Sequence, residues 1–232
     1  MLKVNDIFES ISGEGGGFLQ GTWVTGVRLQ GCNLTCSWCD TPQGQNDDGI
    51  IMGLFTVQDI IEKIQKIGNN HILITGGEPL LQKEVNDLIH GLLYKSFQVQ
   101  VETNGSMIIP KLIPYKDSSL NWVIDYKCPS SGMQHEMLSI REFVDRFKDI
   151  DMLNNVSLSI KFVVKDNEDL DVSLNVIAYM IQHEVKADYI LSPIDANGGL
   201  IQGIVKYIKD RNPNILNYIT FSVQLHKIFK ML

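Results

Sequence analysis

The chain has 232 residues, and its hydrophobic fraction of 44% is enough for one ordinary hydrophobic core. Its net charge is −7 and it has no run of five basic residues, which argues against a nucleic-acid-binding protein. It has neither a charged-then-apolar leader nor an apolar run of about eighteen residues. We therefore expect a cytoplasmic protein with one domain over residues 1–232.

Six segments with strand character are separated by helical segments. The predicted strands are residues 22–29, 71–75, 97–101, 122–127, 156–164 and 189–193. The predicted helices are one that begins after Thr56 and those at 80–94, 140–147, 170–184 and 199–211. This alternation indicates an α/β fold with a parallel sheet. Because six units are too few for a closed eight-stranded barrel, we expect an open, partial barrel with its ligands at the carboxyl ends of the strands.

Three of the four cysteines lie within eight residues, on the loop that follows the first predicted strand. They are Cys32, Cys36 and Cys39, and their thiolates can converge on a soft inorganic centre such as an iron–sulfur cluster or zinc. A closed centre of either kind takes four protein ligands, so three would leave one iron open to a small molecule. Two alternatives stay open at this point: three buried core cysteines, or a zinc site whose fourth ligand lies elsewhere.

The spacing Cys-x3-Cys-x2-Cys resembles the signature of radical S-adenosylmethionine (SAM) enzymes. In that family SAM binds the open iron of a 4Fe–4S cluster, and reductive cleavage of its sulfonium gives a 5′-deoxyadenosyl radical. Residues 28–41 and 9–15 together resemble the 7-carboxy-7-deazaguanine synthase family, which serves the biosynthesis of queuosine and related deazapurines. The resemblance implies a shortened, TIM-like radical SAM barrel that usually forms a homodimer.

Further matches to the family follow the later predicted strands. Residues 76–79 read Gly-Gly-Glu-Pro, whose glycines expose backbone groups to a ligand, and residues 102–105 read Glu-Thr-Asn-Gly. The alternative for each is an ordinary polar turn. The resemblance implies that SAM contacts Trp38, Cys39, Asp40, Gly77, Glu102, Lys127, Cys128, Pro129, Ser130, Lys161 and Ser192.

Two of these residues have competing interpretations. A fourth cysteine ligand would close the cluster to SAM, so we expect the thiol of Cys128 to be structural. Lys161 lies inside an apolar strand. Its ammonium group there needs a partner or a wet cavity, or the side chain snorkels from a sheet edge.

The resemblance also assigns residues to a pterin-like substrate. It implies contacts from Ser12, Gly13, Glu14, Arg28, Thr75, Gln224 and His226. Ser12 stands where the family usually has glutamine. The planar guanidinium of Arg28 suits a carboxylate, and the alternative is a solvated arginine. The resemblance places Mg²⁺ at Thr41, whose hydroxyl oxygen is a suitable hard ligand, and the alternative is a structural hydroxyl.

The function implied by the resemblance is that of a carbon–nitrogen lyase. It would contract the ring of 6-carboxy-5,6,7,8-tetrahydropterin to give 7-carboxy-7-deazaguanine, with loss of ammonia. Its cofactors would be a 4Fe–4S cluster, SAM and Mg²⁺, and its reductant a protein such as flavodoxin or ferredoxin. Two alternatives remain: an enzyme that installs a glycyl radical on a protein partner, and a metal-binding module without activity. The first alternative does not predict Gly-Glu-Gly, Cys-Asp-Thr and Gln-x-His-Lys in one chain. The second needs a fourth metal ligand and gives Gly-Gly-Glu-Pro no purpose.

Overall fold

The computed structural model describes residues 1–13, 21–46, 48–49, 51–147, 154–194, 198–223 and 225, with the backbone alone for 198–200. Its strands are β1 Leu2–Ile11, β2 Trp23–Leu29, β3 Gly53–Phe55, β4 His71–Gly76, β5 Gln98–Thr103, β6 Ser119–Tyr126, β7 Val156–Val164, β8 Asp188–Pro193 and β9 Ile219–Phe221. Its helices are α1 Val57–Ile67, α2 Val85–Tyr94, α3 Ile140–Phe147, α4 Asn167–Gln182 and α5 Gly198–Arg211. No helix in the described part of the chain has both the length and the apolar character that a membrane span requires.

The described strands form one open sheet in the order β3-β1-β2-β4-β5-β6-β7-β8-β9. Neighbouring strands from β2 to β9 run parallel. At one edge β1 and β3 continue the sheet in antiparallel pairing. The six predicted strands correspond to β2 and β4 to β8 and lie side by side, so the prediction of an open α/β fold with a mainly parallel sheet is confirmed.

The helix predicted to begin at residue 80 begins instead at Val85. Pro79–Leu81 forms a separate 3₁₀ turn, and Gln82 has an extended backbone. The side chain of Gln82 explains the break, because its amide donates hydrogen bonds to the backbone oxygens of Lys3 and Gln30, both at 3.0 Å. These bonds hold the chain out of helical geometry and tie the start of α2 to the end of β2.

The crossover from β5 to β6 has no helix, and none of the predicted helices lies between these two strands. Residues 104–118 connect these two strands without a helix. The segment carries Ile109 into the core, whereas Ile108 and Ile113 are exposed. The segment begins at the edge of the sheet where the candidate site lies.

Alternation along the strands gives the sheet two chemically different faces. Val27 and Leu29 of β2 are fully buried in the core that the sheet shares with the helices, together with Phe143 of α3. Between the two β2 residues, Arg28 points to the opposite face and lines a cavity. Neighbouring strands present further polar residues to that cavity, which are Thr75, Glu102, Asp125 and Lys161.

Candidate active site

A cavity of about 460 Å³ opens at the carboxyl ends of the parallel strands. Most of the predicted site residues line it, namely Gly13, Arg28, Cys32, Cys36, Trp38, Cys39, Asp40, Thr41, Thr75, Gly77, Glu102, Lys127 and Lys161. Five other predicted site residues do not line the cavity, namely Ser12, Cys128, Pro129, Ser130 and Ser192. Three more, Glu14, Gln224 and His226, lie outside the described residues.

Ser12 and Ser192 are buried, with 0% and 2% of their surfaces exposed. The hydroxyl of Ser12 accepts a hydrogen bond from Gln100 Nε2 at 3.2 Å, and the same amide donates to Glu102 Oε1 at 3.3 Å. Among the described residues, Gln100 thus links the Ser12 hydroxyl to Glu102, which lines the cavity. The geometry does not support the predicted direct contact of Ser12 with the substrate.

Residues 30–41, here called the cluster loop, are held by backbone hydrogen bonds from two directions. Gly31 N donates to Gly44 O at 2.8 Å, and Glu78 N donates to Gly31 O at 2.8 Å. Gly77 packs so closely that a Cβ added to it would lie 2.2 Å from Gly31 O and 2.6 Å from Gly44 O. The Gly-Gly-Glu-Pro turn therefore packs directly against the cluster loop, which gives its second glycine a role besides ligand binding.

The three predicted ligand cysteines are half-buried and share the cavity. Burial raises the pKa of the Cys32 and Cys36 thiols. Within the described residues, no three His, Cys, Asp or Glu side chains converge closely enough to share one metal ion. Three thiols that line one cavity suit a 4Fe–4S centre, in which each thiolate would bind a different iron.

The turn Pro129–Ser131 packs behind the cluster loop. Ser37 N donates to Ser131 O at 3.0 Å, and Trp38 Nε1 donates to Ser130 Oγ at 3.3 Å. The carboxylate of Asp169 fixes this turn by accepting a hydrogen bond from Ser130 N at 2.9 Å. Pro129 and Ser130 were predicted to contact SAM, but neither lines the cavity, and Ser130 instead contacts the loop that carries the cysteines.

Cys128 is buried in the hydrophobic core, and its sulfur lies 3.4 Å from Ser173 Oγ of α4. Burial raises the pKa of its thiol to about 12. Its burial in the core and its contact with α4 place this sulfur away from the cavity. They agree with the structural role predicted for the thiol and not with a ligand contact.

We expect Cys128→Ala to leave the iron content after anaerobic reconstitution unchanged. The variant should lower the free energy of unfolding by roughly 1 kcal/mol, as for an average point mutation, because it removes a buried thiol. Chemical denaturation and iron analysis measure the two effects separately. A loss of iron from this variant would contradict the structural assignment of Cys128.

Two lysines and one aspartate form an ion cluster on the cavity wall. Asp125 Oδ2 lies 2.7 Å from Lys127 Nζ and 3.4 Å from Lys161 Nζ. Burial works to raise the pKa of Asp125, but the two ammonium groups outweigh it and the pKa is lowered. Lys127 Nζ also lies 5.2 Å from the centre of the Trp38 ring. Lys161 is therefore a paired residue at the cavity and not a snorkelling edge residue.

This cluster fits a ligand that carries both an amino group and a carboxylate, as SAM does. Two ammonium groups and one carboxylate give this cluster a net charge of +1. Asp125 Oδ1 is buried and has no hydrogen-bond partner among the described residues, so it is a ready acceptor. Asp125 was not among the predicted site residues. Its position two residues before Lys127 on one strand face was the signal that could have identified it.

Arg28 lies on β2 beside Thr75 of β4 in the parallel register. Its guanidinium carbon is 4.9 Å from the centre of the Phe8 ring, which stacks below it. Gly26 makes room for that ring, because a Cβ at this position would lie 2.3 Å from Phe8 Cζ. Phe8 of the antiparallel strand β1 is a further cavity residue that the sequence did not predict.

The comparisons with known proteins agree with this geometry. The sequence pattern of the Radical SAM superfamily matches residues 27–124. The chain is 34% identical to the 7-carboxy-7-deazaguanine synthase of Clostridium acetobutylicum, covering 97% of this chain and 95% of the relative. It is 35% identical to that of Methanospirillum hungatei, covering 97% and 84%. Escherichia coli QueE has the same fold, with a TM-score of 0.65 and 20% identity over 96% of this chain and 93% of QueE. This chain therefore belongs to the 7-carboxy-7-deazaguanine synthase family of radical SAM enzymes, a family that implies a 4Fe–4S cluster and SAM.

Proposed function

We propose that this protein converts 6-carboxy-5,6,7,8-tetrahydropterin to 7-carboxy-7-deazaguanine with loss of ammonia, as a carbon–nitrogen lyase. The observation that carries the proposal is one cavity that holds three cysteine thiols, the Lys127–Asp125–Lys161 cluster and Arg28. The first two groups suit the cofactors, and the third suits a substrate carboxylate. The names of the relatives support the same reaction.

The cofactor side of the cavity is formed by the cluster loop and the ion cluster. Cys32, Cys36 and Cys39 would hold a 4Fe–4S centre with one iron free of protein ligands. When bound, this centre and SAM supply one electron and a 5′-deoxyadenosyl radical. Lys127, Lys161 and Asp125 would orient the amino-acid part of SAM, because their charges complement its carboxylate and amino group. Further SAM contacts proposed from the family pattern include Trp38, Asp40, Gly77 and Glu102.

The substrate side would be anchored by Arg28. A guanidinium presents two parallel N–H donors to one carboxylate, and stacking on Phe8 restricts the orientation of this fork. Thr75 lies beside Arg28 in the sheet, and Gly13 lines the same cavity. From the resemblance alone, Glu14, Gln224 and His226 are proposed as additional substrate contacts.

The family resemblance further supports a homodimer in the cytoplasm, one domain over the whole chain, and flavodoxin or ferredoxin as the reductant. Sedimentation of the purified protein tests the first of these proposals, and a monomer at working concentration would contradict it.

Turnover by the reconstituted enzyme is the direct test. The protein, reduced anaerobically and given SAM and the carboxy-tetrahydropterin, should release 7-carboxy-7-deazaguanine and ammonia in equal amounts. SAM cleavage that depends on a protein partner, without this product, would favour a glycyl-radical-activating enzyme. No SAM cleavage in cluster-loaded protein would favour a metal-binding module.

Arg28→Ala should raise KM for the carboxy-tetrahydropterin by about 30-fold to several thousand-fold. This range corresponds to about 2–5 kcal/mol for truncating one partner of a buried charge pair. Arg28→Lys is the matched control and should fall between parent and alanine, because it keeps the charge and loses the planar fork. Iron content and SAM affinity should stay at parent values in both. Unchanged KM in Arg28→Ala would show that the substrate carboxylate binds elsewhere.

Mg²⁺ is proposed to bind at Thr41, which lines the cavity two residues after Cys39. Mg²⁺ prefers oxygen ligands, and the Thr41 hydroxyl would supply one of them. Thr41→Ala should therefore reduce the rate increase that added Mg²⁺ produces, with iron content unchanged. Thr35→Ala, an exposed threonine of the same loop, is the control. An identical Mg²⁺ titration for parent and Thr41→Ala would contradict this proposal.

A further inference from the structure

Asn104 joins the end of β5 to the cluster loop through its side chain. Its Nδ2 donates hydrogen bonds to Cys32 Sγ at 3.8 Å and to Asn33 Oδ1 at 3.0 Å. Its Oδ1 accepts from the backbone N and the hydroxyl of Ser106, at 3.0 and 2.6 Å. Asn33 Nδ2 also donates to Ser106 Oγ at 2.9 Å, which closes a ring of three side chains.

This ring fixes which end of the Asn104 amide faces the sulfur. The backbone N–H of Ser106 can only donate, so the atom that faces it must be the amide oxygen. The NH₂ group is consequently directed at Cys32. Asn104 is 7% exposed, so its side chain has little room to rotate away.

A buried carboxylate fixes the backbone of the same residue. Glu78 is fully buried, and its Oε2 accepts from Asn104 N at 2.7 Å. The hydroxyl of Thr103 donates to both Glu78 oxygens, at 2.9 and 3.0 Å. The Gly-Gly-Glu-Pro turn therefore positions Asn104, and Asn104 contacts the cysteine.

We propose that Asn104 is a positioning residue that orients the Cys32 thiolate and raises the reduction potential of the iron–sulfur centre. Hydrogen bonds to a ligand sulfur withdraw electron density from it and so stabilise the reduced cluster. Leu34 N donates to the same sulfur at 3.4 Å. Cys32 is thus the cluster-loop thiol that receives N–H donors from described residues. This inference rests on the proposed role of Cys32 as an iron ligand.

The test compares Asn104→Asp and Asn104→Ala with Ser106→Ala in anaerobically reconstituted full-length protein. Asn104→Asp keeps the size of the side chain and an acceptor for Ser106, but it has no N–H for the sulfur. Ser106→Ala weakens the ring and keeps the N–H donor. The midpoint potential is measured by an EPR-monitored redox titration, and iron is measured in parallel.

Both Asn104 variants should be harder to reduce than the parent, by about tenfold in the one-electron equilibrium constant, which equals about 59 mV. Ser106→Ala should stay close to the parent. Loss of iron from both Asn104 variants, with Ser106→Ala fully loaded, would support the orienting role directly. If Asn104→Ala fails to fold, the near-isosteric aspartate variant provides the measurement.

Two results would overturn the inference. One is a loaded Asn104→Asp with the parent potential. The other is an equal shift in Asn104→Asp and Ser106→Ala, which would indicate general loosening of the loop. A parent protein that binds no iron would instead overturn the cluster assignment and the proposed function, so the two failures are distinguishable.

Discussion

Alanine at Cys32, Cys36 or Cys39 is expected to remove most of the iron that the parent protein binds after anaerobic reconstitution. Formation of 7-carboxy-7-deazaguanine should fall to the level seen without enzyme. The reason is that three thiolates bind three of the four irons of a 4Fe–4S centre and leave one open, and the fourth cysteine cannot replace any of them. Cys128 is buried in the core against α4, away from the cavity.

Two control variants separate loss of a ligand from damage to the loop. Ser37→Ala removes the side-chain hydrogen bond from the cluster loop to Ser130 O, at 2.8 Å, and touches no thiol. Cys128→Ala removes the remaining cysteine. Both should retain iron and the visible absorption of the cluster. Unchanged iron in a triple variant that lacks Cys32, Cys36 and Cys39 would show that the metal binds elsewhere and would remove the basis of the proposed function.

The strands and the cavity wall could be predicted because they depend on local patterns. Alternation in 22–29 places Arg28 on the face opposite Val27 and Leu29, and the structure agrees. Parallel strands bring their carboxyl ends to one edge, so residues that follow successive strands meet there. The start of α2 could not be predicted in this way, because it depends on Gln82 reaching the distant residues Lys3 and Gln30.

The direction of side chains after a strand was harder to predict than their position. The turn at Pro129–Ser131 follows β6, as a ligand-binding turn would, yet it packs against the cluster loop. Asp125 lies inside β6, and its pairing with Lys161 depends on the register between β6 and β7, which the spacing to Lys127 alone does not reveal. Motif matching identifies residues near a site. The tertiary contacts decide which of them line the cavity and which support the loops around it.

Gly77 lines the cavity, yet the sequence and the structure give different reasons for a glycine at this position. The sequence explains this glycine by the need to expose backbone groups to SAM. The structure adds a steric reason, because the nearest atoms to an added Cβ belong to the backbone of Gly31 and Gly44 and not to open space. A branched side chain would therefore displace the cluster loop before it could meet a ligand. A loss of SAM affinity in such a variant would not by itself identify a contact.

Gly77→Ala is accordingly expected to lower the free energy of unfolding by about 1–3 kcal/mol or more, the usual range for overpacking against atoms that cannot move aside. Iron loading should fall as well, because the clash pushes on Gly31, next to Cys32. Gly44→Ala is the matched control at the same contact, since its added Cβ would lie 3.4 Å from Gly77 N, an ordinary van der Waals distance. Denaturation and iron analysis of the two variants should separate them clearly. Parent-like stability and iron in Gly77→Ala, with weaker SAM binding alone, would instead favour the ligand-contact explanation.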